Sequence, residues 1–365
     1  MEKDKLASVQ ALRGLAALAV MLFHFRWNIN LSYPGLGDKL FGWGAIGVDV
    51  FFLISGFVIT LSAKKLTPGL SAAGVFMKHR VRRIFPAYFI ILLISFLLSG
   101  AMSTFHYPEK VSNLISAITF SPINPNHAPF YIDDSGFYGI RWTLNYEMLF
   151  YVVMAFCLLS RYRWFLLFGG FSLSLVVFPM LAGHSPTLDV SGYQFNSAYM
   201  NLITNPIIWM FLVGVAFGLI HPYTKNLNNH VRVIFLVVAM SIAVYCVLYT
   251  PLLNHGITMS GWYLSILFIA VVLNDKLITK FMPRFFVTLG EISFSLYLIH
   301  TLMNGGIGKR FEDIGVVDGI PRFLLSCVFS IGLAYLSYFF IERPVSRRKQ
   351  KTVSHKAALT SPDIG

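Results

Sequence analysis

The sequence predicts an all-α integral membrane protein, about ten transmembrane helices in one bundle with both termini cytoplasmic. Three observations carry that expectation. Of the 365 residues, 56% are hydrophobic and only 12% charged, about half the charged fraction of a water-soluble domain. The apolar residues come in long runs, such as VRRIFPAYFIILLISFLLSG and VRVIFLVVAMSIAVYCVLYT, close to the roughly 20 residues that cross a hydrocarbon core. The basic residues also segregate to one side once these runs are threaded through a membrane.

The runs read as ten spans, at 6–28, 43–62, 80–101, 144–160, 163–183, 202–220, 231–249, 257–273, 287–303 and 322–341. An even number places both termini on one side. That side then carries 21 of the 29 Lys and Arg residues, the opposite side carries 7, and Arg13 lies within the first span. Positive charge marks the cytoplasmic face. The segment VSNLISAITF (111–120) is too short to cross and is expected to lie in the interface or to re-enter. The longest connection, about 102–143, faces outward. Its Pro, Asn, Asp and aromatic residues suit either a solvated loop or a cover for a glycan. The protein divides into a transmembrane domain, 1–345, and a polar tail, 346–365, expected to be disordered and cytoplasmic.

Other classes are excluded by distribution rather than totals. The net charge of +13 resides in short connections and near the C-terminus, and no basic helix carries interleaved stacking aromatics, so no nucleic-acid partner is expected. Cys157, Cys246 and Cys327 all fall in apolar runs, with no paired spacing. They read as small buried hydrophobes, and neither a disulfide framework nor a metal site follows. Arg13 interrupts the first apolar run, and no small-residue cleavage site stands out, so a cleavable signal peptide is not expected.

Ionisable groups inside spans cost several kcal/mol on insertion scales, so each is a functional candidate. His24 falls near the outer end of the first span, Asp49 about two turns into the second, Glu147 about one turn into the fourth, and His300 at the end of the ninth. All four reach similar depth. Arg13 lies deeper, eleven residues from His24, hence on the same helical face but about 16 Å away. The two are expected to touch different parts of one extended ligand. Thr143 and Tyr151 share a face with Glu147, and Ser293, Tyr297 and His300 form a second polar stripe. Such stripes serve helix–helix hydrogen bonds or a wet cavity.

The chemistry that suits this set is proton removal from a hydroxyl nucleophile. Histidine is the usual base near neutrality, and a carboxylate on its second ring nitrogen fixes the tautomer. His24 with Glu147 or Asp49 supplies both parts. No serine or cysteine stands in a recognisable nucleophile context, so direct transfer and a covalent intermediate both remain open. At the opening of the third span, KHRVRRIFP gathers Lys78, Arg80, Arg82 and Arg83. Arg80 and Arg83 share a face and suit a phosphate clamp, although positive charge there also sets topology. Pro86 is expected to kink that helix locally.

At this point the sequence resembles the membrane-bound acyltransferase 3 family, and more closely its exopolysaccharide-modifying branch. The resemblance rests on LRGLAALAVMLFHF (12–25), GAIGVDVFFLISGFVI (44–59), RVRRIFPAYF (80–89), WTLNYEMLFY (142–151), LGEISFSLYLIH (289–300) and IERP (341–344). It implies acetyl-CoA or a similar acyl-CoA as co-substrate, with no bound cofactor, and a surface glycan as acceptor. It also implies a multi-pass protein of the inner (plasma) membrane, with membrane lipids and polysaccharide assembly proteins as further partners. The histidine of the family's Arg–x10–His motif is its catalytic candidate and maps onto His24. Arg13, Arg80 and Arg83, with Arg82 in the same cluster, become acyl-CoA-binding candidates. The acid of the family's Trp-Ser-Leu-Ser-Val-Glu-Glu segment maps onto Glu147. Here Met148 replaces the second acid and Tyr146 the valine, leaving one carboxylate. Trp142, Tyr297 and His300 are expected to contact the acceptor or to support the catalytic groups.

Many relatives add a soluble domain after the membrane part, and this chain is expected to work without one or with a separate protein. Acyl-CoA and the arginine cluster are cytoplasmic while His24 lies near the outer face, so acyl delivery through the membrane is expected. The competing class is a proton-coupled transporter of a saccharide or lipid-linked saccharide, which intramembrane charges also suit. A scaffold of a polysaccharide assembly would leave those charges without a role.

Overall fold

A computed structural model describes residues 6–98, 101–133, 136–304, 306–316 and 318–345. The expected tail at 346–365 lies outside them. The described residues contain helices and no strands. The principal helices are α1 (Ala7–Ser32), α2 (Leu36–Ala63, with a tightened turn at Gly42–Ile46), α3 (Leu70–Leu98), α4 (Pro108–Thr119) and α5 (Gly136–Cys157). They continue with α6 (Arg163–Leu181), α7 (Ala198–Thr224), α8 (Asn229–Tyr249), α9 (Ile257–Leu273), α10 (Asp275–Phe281), α11 (Arg284–Glu291), α12 (Ser293–Met303), α13 (Gly306–Asp313) and α14 (Ile320–Val345).

Seven of these are long and apolar enough to cross a membrane, and nine spans result if the bent pairs α9–α10 (77°) and α11–α12 (58°) each count as one. The tenth expected span coincides with α5, which has the length but carries Arg141, Asn145 and Glu147. Length and apolarity therefore support seven to nine spans rather than ten.

Helix α2 forms the middle of the bundle, with 72% of its most apolar stretch buried, against 17% for α8 at the periphery. On α8, Val237, Tyr245 and Leu248 face outward, as suits a lipid-contacting helix. The centre is held by close backbone approach between α2 and α7. A Cβ on Gly56 would stand 2.1 Å from the Phe211 carbonyl oxygen, and one on Gly214 would stand 2.1 Å from that of Leu53. Without a hydrophobic drive between helices in lipid, such small-residue contacts supply the packing energy.

Two boundaries differ from the sequence expectation in ways that matter for function. Helix α3 begins at Leu70 and continues through Pro86, so the basic cluster lies a third of the way along it instead of opening it, and Arg80 is buried. Helix α5 begins at Gly136, so Glu147 is about three turns in. Arg141 reads as a residue for water, yet it is fully buried. Its guanidinium donates to Asn113 Oδ1 (2.8 Å) and Ser116 Oγ (3.2 Å) on α4. Helix α4 is the short segment expected in the interface, and its polar face is spent on that arginine.

The connection before α5 is packed rather than solvated. Tyr131 and Ile132 are buried. Asn205 Nδ2 donates to the Tyr131 hydroxyl (2.8 Å), Asn201 Nδ2 to the Pro125 carbonyl (2.9 Å), and the Tyr146 hydroxyl to the Pro129 carbonyl (2.9 Å).

Candidate active site

Five helices enclose a cavity of about 80 Å³. Arg13 comes from α1, Phe52 and Ser55 from α2, Arg80 and Arg83 from α3, Thr143 and Glu147 from α5, and Ser293 and Tyr297 from α12. Its size is well below the roughly 300–1,000 Å³ of a pocket that swallows a drug-sized ligand. It suits a thin arm or an acyl head, with any bulky group left outside.

The register of each helix explains why these side chains meet. Arg80 and Arg83 are three apart and share a face; Arg80 is buried and Arg83 exposed, and both line the cavity, whereas Arg82 between them does not. The Arg80 guanidinium lies over the rings of Phe76 (5.2 Å) and Tyr151 (5.5 Å), a cation–π seat. Its Nε is buried without a hydrogen-bond partner among the described residues, a donor available to an acceptor group. Arg13 donates to Gln10 Oε1 at 3.3 Å.

Two carboxylates offset part of this charge. Glu147 accepts from Ser55 Oγ (3.0 Å) and from the Tyr151 hydroxyl one turn away. Glu342 accepts from Ser295 Oγ and stands within electrostatic reach of Arg13 and Arg83. It is carried there by a widened π turn, Tyr338–Glu342, a distortion common at functional sites. Opposite, the Thr143 and Tyr297 hydroxyls share a hydrogen bond of 2.8 Å.

His24 does not line this cavity. Its ring stands 5.0 Å from that of His300, and the His300 ring stands 5.8 Å from that of Tyr297 in the cavity wall. His300 is fully buried, and its Nε2 has no partner among the described residues. Two imidazoles and a phenol thus form a file from His24 to the cavity.

The pairing of His24 with a carboxylate is corrected by the structure. Asp49, fully buried, accepts from the His255 ring at Nδ1 (2.8 Å) and from the Gly256 N–H (3.0 Å). Glu147 is held by Ser55 and Tyr151, as described. Similar depth along four helices does not fix azimuth, and Asp49 faces the 250–256 turn rather than α1. Trp142 lies on Asp49's side, with its ring 5.6 Å from His255 and 6.1 Å from Phe52.

Sequence reasoning missed Ser55, Glu342 and His255. The first two stood inside quoted motifs with no role attached. His255 stood in a polar turn, Asn254–His255–Gly256, outside any span, where an imidazole carries no burial signal. Among the described residues no group of three or more His, Cys, Asp or Glu side chains forms a metal site.

The chain matches the acyltransferase domain of the acyltransferase 3 family over residues 6–339. It is 29% identical to an exopolysaccharide production protein, ExoZ, of Rhizobium meliloti (strain 1021), across 84% of this chain and 90% of that one. It is 26% identical to nodulation protein 10 of Rhizobium leguminosarum bv. viciae, across 95% of each. A Staphylococcus aureus (strain MRSA252) protein provisionally named as an O-acetyltransferase is 23% identical across 96% of this chain, which spans 59% of that protein. No solved structure matches significantly. The chain belongs to the acyltransferase 3 family of membrane proteins, and it is an O-acyltransferase.

Proposed function

We propose that this member of the acyltransferase 3 family moves an acetyl group from acetyl-CoA to a hydroxyl of a cell-surface polysaccharide or its lipid-linked precursor, in the inner (plasma) membrane. The observation that carries the reading is the convergence of Arg13, Arg80 and Arg83 on one narrow cavity that also holds Glu147. Guanidinium groups suit the phosphates of a nucleotide. A cavity too narrow for that nucleotide still admits a pantetheine arm. The similarity to an exopolysaccharide production protein and to a named O-acetyltransferase supports the acceptor and the acetyl group. Membership of an acyltransferase family leaves no need for the transporter reading.

With α5 counted as a further span and both termini cytoplasmic, Arg80 and Arg83 lie toward the cytosol and His24 near the opposite face. The donor's phosphates then stay with the arginines while its thioester reaches into the bundle. The acceptor oxygen attacks the thioester carbonyl carbon, and its proton passes to His24. The carbon–sulfur bond breaks, and CoA leaves as a thiolate that takes up that proton. The buried, unpartnered Nε2 of His300 supports a proton path between His24 and the cavity.

The test uses protein purified in detergent, acetyl-labelled acetyl-CoA and alkali-deacetylated surface polysaccharide from cells lacking the gene. Alkali-labile label on the polysaccharide is the expected result. Label that remains on CoA or appears only as free acetate overturns the proposal.

A further inference from the structure

The Asp49–His255 pair lies apart from the arginine-lined cavity, and nothing in the acyl-transfer step above uses it. Asp49 is fully buried in the first turn of the regular part of α2, and His255 reaches it from the turn before α9, its side chain 14% exposed. Gly256 supplies the second hydrogen bond from a backbone with φ of +102°, a conformation that favours glycine. The Asp49 carboxylate is wholly buried, and each of its oxygens accepts one of these hydrogen bonds. The imidazole Nδ1–H is committed to Asp49, which fixes the tautomer and leaves Nε2 as an acceptor with no partner among the described residues.

Aromatic side chains stand beside that nitrogen's ring. Trp142 lies 5.6 Å away at 57°, and Phe130 lies 6.5 Å away at 86°. His127 packs on Phe130 at 5.1 Å. Phe130 belongs to the packed connection before α5, pinned by Tyr131 and Tyr146. An oriented imidazole against aromatic walls, with few polar groups, is how proteins take a ring that has apolar faces and hydroxyl edges.

The site abuts the cavity without being part of it. Val48 and Thr143 line the cavity, and Asp49 and Trp142 are their chain neighbours, turned to the other side. Phe52 borders both, in the cavity wall and 6.1 Å from the Trp142 ring.

We propose that His255, oriented by Asp49 and flanked by Phe130 and Trp142, is the acceptor subsite, where Nε2 accepts a hydrogen bond from a hydroxyl of a carbohydrate ring. It holds the acceptor chain in register with the cavity and takes no part in bond making, so His255 and Asp49 are positioning residues. The inference rests on the acyl transfer to polysaccharide proposed above.

The experiment is the same transfer assay with alkali-deacetylated polysaccharide as variable substrate, run on the wild-type chain and on His255→Gln and Asp49→Asn. Acetyl-CoA affinity is measured in parallel by titration in detergent. Losing one hydrogen bond to an oriented imidazole is expected to raise the acceptor KM by about tenfold in both variants. The Kd for acetyl-CoA is expected to stay within about twofold, since the donor lies across the Phe52 wall. An unchanged acceptor KM overturns the inference. So does a fall in acetyl-CoA affinity along with lost thermal stability in both variants, which would make the pair a structural pin for the 250–256 turn. Absence of transfer by the wild-type chain would instead overturn the function itself, seen before any variant is compared.

Discussion

The ring of His24 stands 5.0 Å from the ring of His300, tilted by 48°, and this imidazole pair replaces the imidazole–carboxylate pair that helix depth alone suggests. The carboxylates meet other partners, Asp49 the ring of His255 and Glu147 the hydroxyls of Ser55 and Tyr151. His300 has its Nδ1 near the Leu296 carbonyl (3.2 Å) and its Nε2 unpaired. A buried donor or acceptor left without a partner is costly, and retaining one next to the base candidate points to proton movement.

His24→Ala is expected to abolish polysaccharide acetylation at normal protein level. His300→Phe, which fills similar space, should lower kcat by about 10²-fold, the lower range for general acid–base groups. Its acetyl-CoA affinity should be unchanged. Steady-state kinetics on purified protein decide this, and a His300→Phe enzyme with full kcat would remove His300 from the proton path.

Charge reversal separates binding arginines from topological ones. Arg80→Glu and Arg83→Glu are each expected to weaken acetyl-CoA binding by about 10–100-fold, the worth of a charge-assisted hydrogen bond. Arg82→Glu, at an exposed position outside the cavity wall, should change it by no more than about twofold. Equal effects at all three positions would mean that the cluster acts only as diffuse positive charge.

Glu147 offsets the guanidinium charge in the same cavity. Glu147→Gln keeps the shape and removes the charge, so acetyl-CoA should bind at least as tightly as to the wild type. Titration shows the outcome directly. Weaker binding would mean that the carboxylate's task is to orient the arginines.

The α2–α7 crossing has no room for a methyl group. Gly56→Ala and Gly214→Ala each drive a Cβ against a backbone oxygen, which cannot rotate aside. Each should destabilise the protein by about 1–3 kcal/mol, as overpacking does. Gly74→Ala, with nothing within 4 Å of its new Cβ, should be neutral or slightly stabilising. Thermal unfolding in detergent compares the three, and a Gly214→Ala protein as stable as Gly74→Ala would refute the close packing.

The connection before α5 carries a pH signature. Burial pushes the Tyr131 phenol up to about 12, against a smaller opposing effect of the Asn205 hydrogen bond. Since the folded state disfavours the phenolate, Tyr131's contribution is constant below an unfolded value near 10 and falls as pH rises from about 10 toward 12. Protease resistance of the 120–133 segment should therefore hold from pH 7 to about 9 and drop above about 10. Tyr131→Phe should show a shallower drop, and identical profiles for the two proteins would contradict the assignment.

Much of this molecule is written in its sequence because lipid imposes one rule on every span. Backbone polar groups must pair within a helix and apolar side chains must face out, so composition and run length already specify an all-helical membrane protein. The same rule makes Arg13, Arg80, Arg83 and Glu147 conspicuous, and the structure brings all four to one cavity. What the sequence left open was rotation about each helix axis and the course of the connections. His24, Asp49, Glu147 and His300 share a depth, but azimuth is set by which helices cross closely, as at Gly56 and Gly214. Only the folded chain decided that Asp49 meets a histidine 206 positions away, because contacts between distant segments depend on packing and not on local period.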